Sequence, residues 1–183
     1  KLFCRKYMEY AAVLADNVPV RAEAGDFHNR EHSARVLFWA MKLYKDCFGS
    51  FSKCDILCEA AVFHDGGRTT AEKDDQHGIE GVKAYRRYCK SNLSKKSRRI
   101  VEFLIQYHCI DDKISEEACK KLFPENGSTV WRLYEILKDA DALDRCRFGF
   151  HGRGALDVKL LRLPQSRGYV GAAHGALHYK FLP

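Results

Sequence analysis

Three apolar stripes at helical spacing each run into a histidine or an aspartate, and this pattern constrains the chain more than any other feature. Val101, Leu104 and Ile105 lie seven, four and three residues before His108. Leu57 and Ala60 lie seven and four before His64, and Tyr134 and Leu137 lie seven and four before Asp141. Residues at these offsets share one face of a helix, so the fold must carry titratable groups into its interior. A buried carboxylate is costly unless it is paired or holds a cation. Asp139, two residues from Asp141, is turned about 200° away. It lines up with Arg132 and Glu135 and is expected to face water or a neighbouring cation.

The helical period extends through most of the chain. It predicts helices over 2–14, 30–47, 52–65, 77–90, 95–108, 116–122 and 129–144, with Asn29 as an N-cap and Gly66-Gly67 as a stop. Gly149, Gly152, Gly154 and Pro164 mark loops, with one more helix near 156–161. With four prolines in 183 residues, long helices are permitted nearly everywhere. No period-2 alternation, internal repeat or linker is evident. The expected fold is all-α, a compact helical bundle in one domain over 1–183.

The hydrophobic share is 46% and the charged share 30%, as in soluble globular proteins, and no apolar run is long enough for a membrane span. Eight cysteines without a C-x-x-C pair read as reduced residues of a cytoplasmic protein. Cys54 and Cys58, four apart, are a minor metal alternative. The net charge of +7 attracts anions. No aromatic and basic stripe marks a nucleic-acid track, which argues against a nuclease.

One inward histidine is more often a satisfied core residue than a ligand. Several inward His and Asp residues from different helices form the pattern by which bundles hold divalent cations. The segment His32-Ser33-Ala34-Arg35-Val36 resembles the H-x-x-R-V helix of the HD-domain superfamily of metal-dependent phosphohydrolases. His64-Asp65-Gly66-Gly67-Arg68 is similar to its H-D-x-G-R doublet, and His77 to Gly81 to the H-G-x-x-G that often follows. Asp139-Ala140-Asp141-Ala142-Leu143-Asp144 resembles its closing D-x-D-x-L-D helix.

The resemblance covers about 27–144 and implies a metal-binding core there, with His32, His64, Asp65 and Asp141 around one divalent ion. That ligand chemistry suits Mn, Fe, Co, Ni, Zn or Mg. It further implies cleavage of a phosphomonoester or phosphodiester, often of a nucleotide, by attack of a metal-bound hydroxide. Two-metal members place extra histidines in the interval that His77 and His108 occupy. These two are therefore either ligands of a second ion or, with Asp65, catalytic groups that contact phosphate and carry protons. Arg35 and Arg68 are candidate phosphate clamps, with a salt bridge to Asp144 or Asp74 as the alternative. The segment 145–183 is expected to close the pocket, with Arg145, Arg147, Arg153 or Arg162 available. His28, His151, His174 and His178 receive no firm role. The rival readings are a di-iron oxygenase of the same fold and a nucleotide-binding module without turnover. Gly67-Arg68 stands where guanosine tetraphosphate hydrolases of the superfamily carry an E-D pair, which argues against that activity.

Overall fold

The computed structural model describes residues 1–19, 29–69, 74–149 and 154–182, and among them every regular element is a helix. Helices α1 (Leu2–Asn17), α2 (Arg30–Phe48), α3 (Asp55–Phe63), α4 (His77–Tyr88) and α5 (Lys95–Tyr107) are followed by α6 (Asp112–Leu122) and α7 (Gly127–Asp144). Two 3-10 turns, Arg145–Phe148 and Val158–Leu160, lead to α8 (Pro164–Gly168) and α9 (Val170–Ala176). The architecture is the all-α bundle that the periodicity predicts. None of the described helices is long and apolar enough to cross a membrane.

Helix α2 packs along α7, α3 touches both α2 and α5, and α4 lies on α5. Leu37, Met41, Leu43, Leu57, Phe63, Leu104, Ile105, Tyr134 and Leu137 are fully buried between them. Each aliphatic side chain among them contributes about 1.5–3 kcal/mol by leaving water. Side-chain caps fix where the helices start. Asn29 accepts from the His32 amide at 2.9 Å, Ser94 from Ser97 at 3.1 Å and Asp111 from Lys113 at 2.9 Å, each contributing about 1 kcal/mol.

Several boundaries differ from the sequence reading: α1 runs on to Asn17, α6 starts at Asp112 rather than Glu116, α7 starts at Gly127, and α9 is not among the helices expected. Helix α3 begins at Asp55 because Lys53 has φ +62°, which a helix does not accept. Pro164 opens α8 rather than marking a loop, because proline suits the first helical position, where no amide partner is needed. The helix expected near 156–161 shrinks to the three-residue turn Val158–Leu160.

Asp139 has the neighbouring cation expected of it, Arg162, but its exposure is corrected. It does not face water. It is fully buried and accepts from the main-chain amides of Arg162 (3.0 Å) and Leu163 (2.8 Å) and from the Arg162 guanidinium (3.2 Å). Arg162 also binds Asp112 at 2.8 Å. The C-terminal segment thus covers the face of α7 opposite the core, so α7 is buried on two sides. The chain end crosses back over the first helices. Phe181 accepts from the Tyr7 hydroxyl at 2.8 Å and donates its amide to Glu31 at 3.0 Å, and the Tyr169 hydroxyl donates to Asp46 at 2.6 Å.

Candidate metal centre

Helix ends deliver the polar groups. His32 lies in the first turn of α2, His77 opens α4, His64 and His108 cap the C-termini of α3 and α5, and Asp141 stands in the last turn of α7. Gly67, at φ +89°, turns the chain away after Asp65. Two glycines explain how His77 gets close enough. A Cβ on Gly78 would fall 2.4 Å from the Gln106 carbonyl oxygen, and one on Gly81 would fall 2.7 Å from that of His64. Only glycine lets α4 press against the ends of α3 and α5.

The result is a cluster with two halves joined by one carboxylate. In the first half the Nε2 atoms of His32 and His64 are 3.2 Å apart. Asp65 Oδ2 lies 3.4 Å and 3.6 Å from them, and Asp141 Oδ1 lies 3.3 Å from His32 Nε2. In the second half the Nε2 atoms of His77 and His108 are 2.9 Å apart, and Asp65 Oδ1 lies 3.4 Å and 3.8 Å from them. Atoms that bind one ion at about 2.0–2.2 Å stand about 3.0–3.6 Å from each other. Most of these spacings are the edges of such a polyhedron, so the residues fit a divalent ion.

Tautomers strengthen the fit. His64 Nδ1 donates to the Ala61 carbonyl at 2.7 Å, His108 Nδ1 to Ile105 at 2.6 Å, His77 Nδ1 to Asp74, and His32 Nδ1 to Asp144 Oδ2 at 2.7 Å. A neutral imidazole has one N–H, so each ring, when neutral, presents an Nε2 lone pair to its partner. Facing lone pairs repel unless a cation or proton lies between them.

Charge follows the same division. Burial and Arg147 push His32 down, yet hydrogen bonds to Asp141, Asp144 and Asp65 outweigh them and hold it up at about 10. A proton thereby takes the cation's place in the first half. Burial, with His108 and His32 nearby, lowers His64 to about 4. Burial, with His108 and Arg68, lowers His77 to about 4. Burial opposes ionisation of Asp141, but His32 holds its carboxyl well below the ordinary range.

The remaining expected residues divide clearly. Arg35 is taken up by Asp144, with its Nε on Oδ1 and NH2 on Oδ2 at 3.2 Å. Arg68 is buried, with NH1 3.2 Å from His77 Nε2 and 3.5 Å from Asp65 Oδ1. Asp141 is the least buried of the acids, with its side chain 33% exposed at the lip of the cluster. Asp144 matters more than its sequence role as a partner of Arg35, because it also orients His32. Its position three residues after Asp141 was the signal available. His28, His151 and Arg153 lie outside the described residues. Among the described residues, the His/Cys/Asp/Glu groups close enough to share an ion are His32-His64-Asp141, His64-Asp65-His108 and His77-His108-Cys109. Cys54, Cys58, His174 and His178 are in none of them.

No curated protein and no solved structure matches this chain. A family model, the HD domain, matches residues 29–146. That span begins at the cap of α2 and ends just past α7, so it contains both halves of the cluster. The match runs over well more than half of the sequence, and the chain belongs to the HD-domain superfamily of metal-dependent phosphohydrolases.

Proposed function

We propose that this chain hydrolyses a phosphomonoester or phosphodiester of a nucleotide or another small phosphorylated compound. His32, His64, Asp65 and Asp141 hold one divalent ion, and Asp65, His77 and His108 hold a second. The observation that carries this reading is the pair of facing imidazole Nε2 atoms, 3.2 Å and 2.9 Å apart, with one Asp65 oxygen near each. Without an ion a proton on His32 and the Arg68 guanidinium stand in for it, and both sets suit a cation. When bound, the ions supply positive charge for phosphate oxygens and acidify water.

The side chains do the rest. Asp65 ties the two halves together and orients water from the side of Asp141, the one acid open at the lip. Asp144 keeps the His32 ring in place, as partners of metal-bound imidazoles do. Arg68 donates to His77 and Asp65, and its guanidinium is available to a phosphate oxygen once those acceptors are engaged. The basic surface favours encounter with anionic substrates. The free thiols suit a cytoplasmic location.

The test is phosphate release by metal-loaded protein from nucleoside mono-, di- and triphosphates, cyclic nucleotides and small phosphomonoesters. Asp65→Ala and Asp141→Ala should each lower turnover by about 1,000-fold or more. Near wild-type turnover in either variant would end the reading. Bound iron with oxygen consumption and no phosphate release would replace it with oxidation.

A further inference from the structure

We infer that Arg147, in the 3-10 turn after α7, is a direct ligand of the substrate's phosphoryl group. This rests on the phosphohydrolase reading above. Of the five arginines in the C-terminal segment, Arg153 lies outside the described residues, and Arg167 donates to the Leu161 carbonyl at 3.1 Å. Arg145 donates to the Gly154 carbonyl at 2.8 Å on the surface. Arg162 is spent on Asp112 and Asp139. Arg147 differs from these. Its side chain is only 11% exposed, and NH1 alone is engaged, with the Asp144 carbonyl at 3.0 Å and Asp144 Oδ2 at 3.1 Å.

Its Nε is buried without any hydrogen-bond partner. Buried donors are rarely left in that state, and each one requires an explanation. The guanidinium is also held in orientation, with its carbon 4.3 Å from the centroid of the Phe148 ring. Asp144, Asp141 and Asp65 all act on it electrostatically, and its positive charge in turn opposes protonation of His32. It therefore stands beside the first half of the cluster with its Nε–H unused. A planar guanidinium edge matches two oxygens of a phosphoryl group, and a lysine ammonium cannot reproduce that geometry. Arg35 cannot serve in its place, because Nε and NH2 are both committed to Asp144.

The experiment uses inorganic phosphate as the probe, titrated calorimetrically into metal-loaded full-length protein. Wild type, Arg147→Lys, Arg147→Met and Arg35→Lys are compared, with metal content and melting temperature measured on each. Arg147→Met should bind phosphate at least about tenfold more weakly, with metal content unchanged. Arg147→Lys keeps a cation beside Asp144 and should regain little of the loss, whereas any loss in Arg35→Lys, which acts through Asp144 and His32, should appear in metal content rather than in phosphate affinity of the metal-loaded fraction. In turnover, Arg147→Lys should raise KM for the substrate more than it lowers kcat. Wild-type phosphate affinity in both Arg147 variants would overturn the assignment. So would loss of metal in Arg147→Lys, which would make Arg147 a positioning residue for Asp144 and His32. A wild-type protein that binds metal but no phosphate would overturn it as well. Failure of wild type to bind metal at all would instead remove the phosphohydrolase reading on which it rests.

Discussion

The two halves of the cluster use the same imidazole geometry but different electrostatics. The first half, at His32 and His64, sits among three carboxylates, Asp65, Asp141 and Asp144, and one of its rings donates to an anion. Its two guanidiniums, Arg35 and Arg147, are both paired with Asp144 rather than placed on the ring nitrogens. The second half, at His77 and His108, has one Asp65 oxygen, two rings that donate to neutral carbonyls, and the Arg68 guanidinium against it. Negative charge around a ligand set raises its affinity for a cation, and a neighbouring guanidinium lowers it. The halves should therefore bind ions with unequal strength, the first tightly and the second weakly.

The largest break comes from the first half. His64→Ala should abolish tight binding, measured as metal retained after dialysis, and lower phosphate release by about 1,000-fold or more. A variant that retains its ion and its turnover would erase the asymmetry. His77→Ala should leave the tight ion in place and remove only a weaker second equivalent, with a smaller loss of about 100-fold in turnover. Equal loss of both ions in His77→Ala would show that the halves act as one site. Asp144→Asn keeps the shape but weakens the hold on His32, and metal affinity by competition with a chelator should fall by about 10–100-fold.

Asp139→Ala sharpens the comparison from outside. It removes the buried acceptor of Arg162 and Leu163, and should destabilise the protein by about 3–5 kcal/mol while leaving metal affinity unchanged. Denaturant unfolding and a metal titration on the same sample would check both parts. A further effect is on pH. His32 is raised from 6.5 to about 10 in the metal-free protein. A raised pKa contributes stability that is fully present below about pH 6.5 and is lost as pH rises through about 10. The denaturant midpoint of metal-free protein should therefore drop across that window. Metal-loaded protein, with the proton displaced, should not show this drop. Parallel profiles for the two forms would contradict the placement of the proton on His32.

Helical periodicity alone located much of this molecule. The stripes ahead of His64 and His108 are buried as the spacing requires, because one helix face decides burial wherever a helix packs on one side. The same logic anticipated a cation beside Asp139 but missed its burial. Helix α7 is covered on its second face by Arg162 and Leu163, residues more than twenty positions away that no local pattern announces. Arg35 read either as a phosphate clamp or as a salt-bridge partner of Asp144, because its spacing from His32 shows only that both share a face, and the structure has the salt bridge. Its commitment to Asp144 depends on how the end of α7 meets the start of α2. The orphaned Nε of Arg147 was equally beyond sequence reasoning, since an unfilled donor is visible only when every neighbour is in place.

The central claim is that His32, His64, Asp65 and Asp141 converge on one cation. Anomalous diffraction from crystals of manganese-loaded protein tests it most directly. The expected result is a strong peak about 2.0–2.3 Å from His32 Nε2, His64 Nε2 and an oxygen of each aspartate, with a weaker peak between His77 and His108. Crystals that contain manganese but show no peak within reach of His32 and His64 would contradict it.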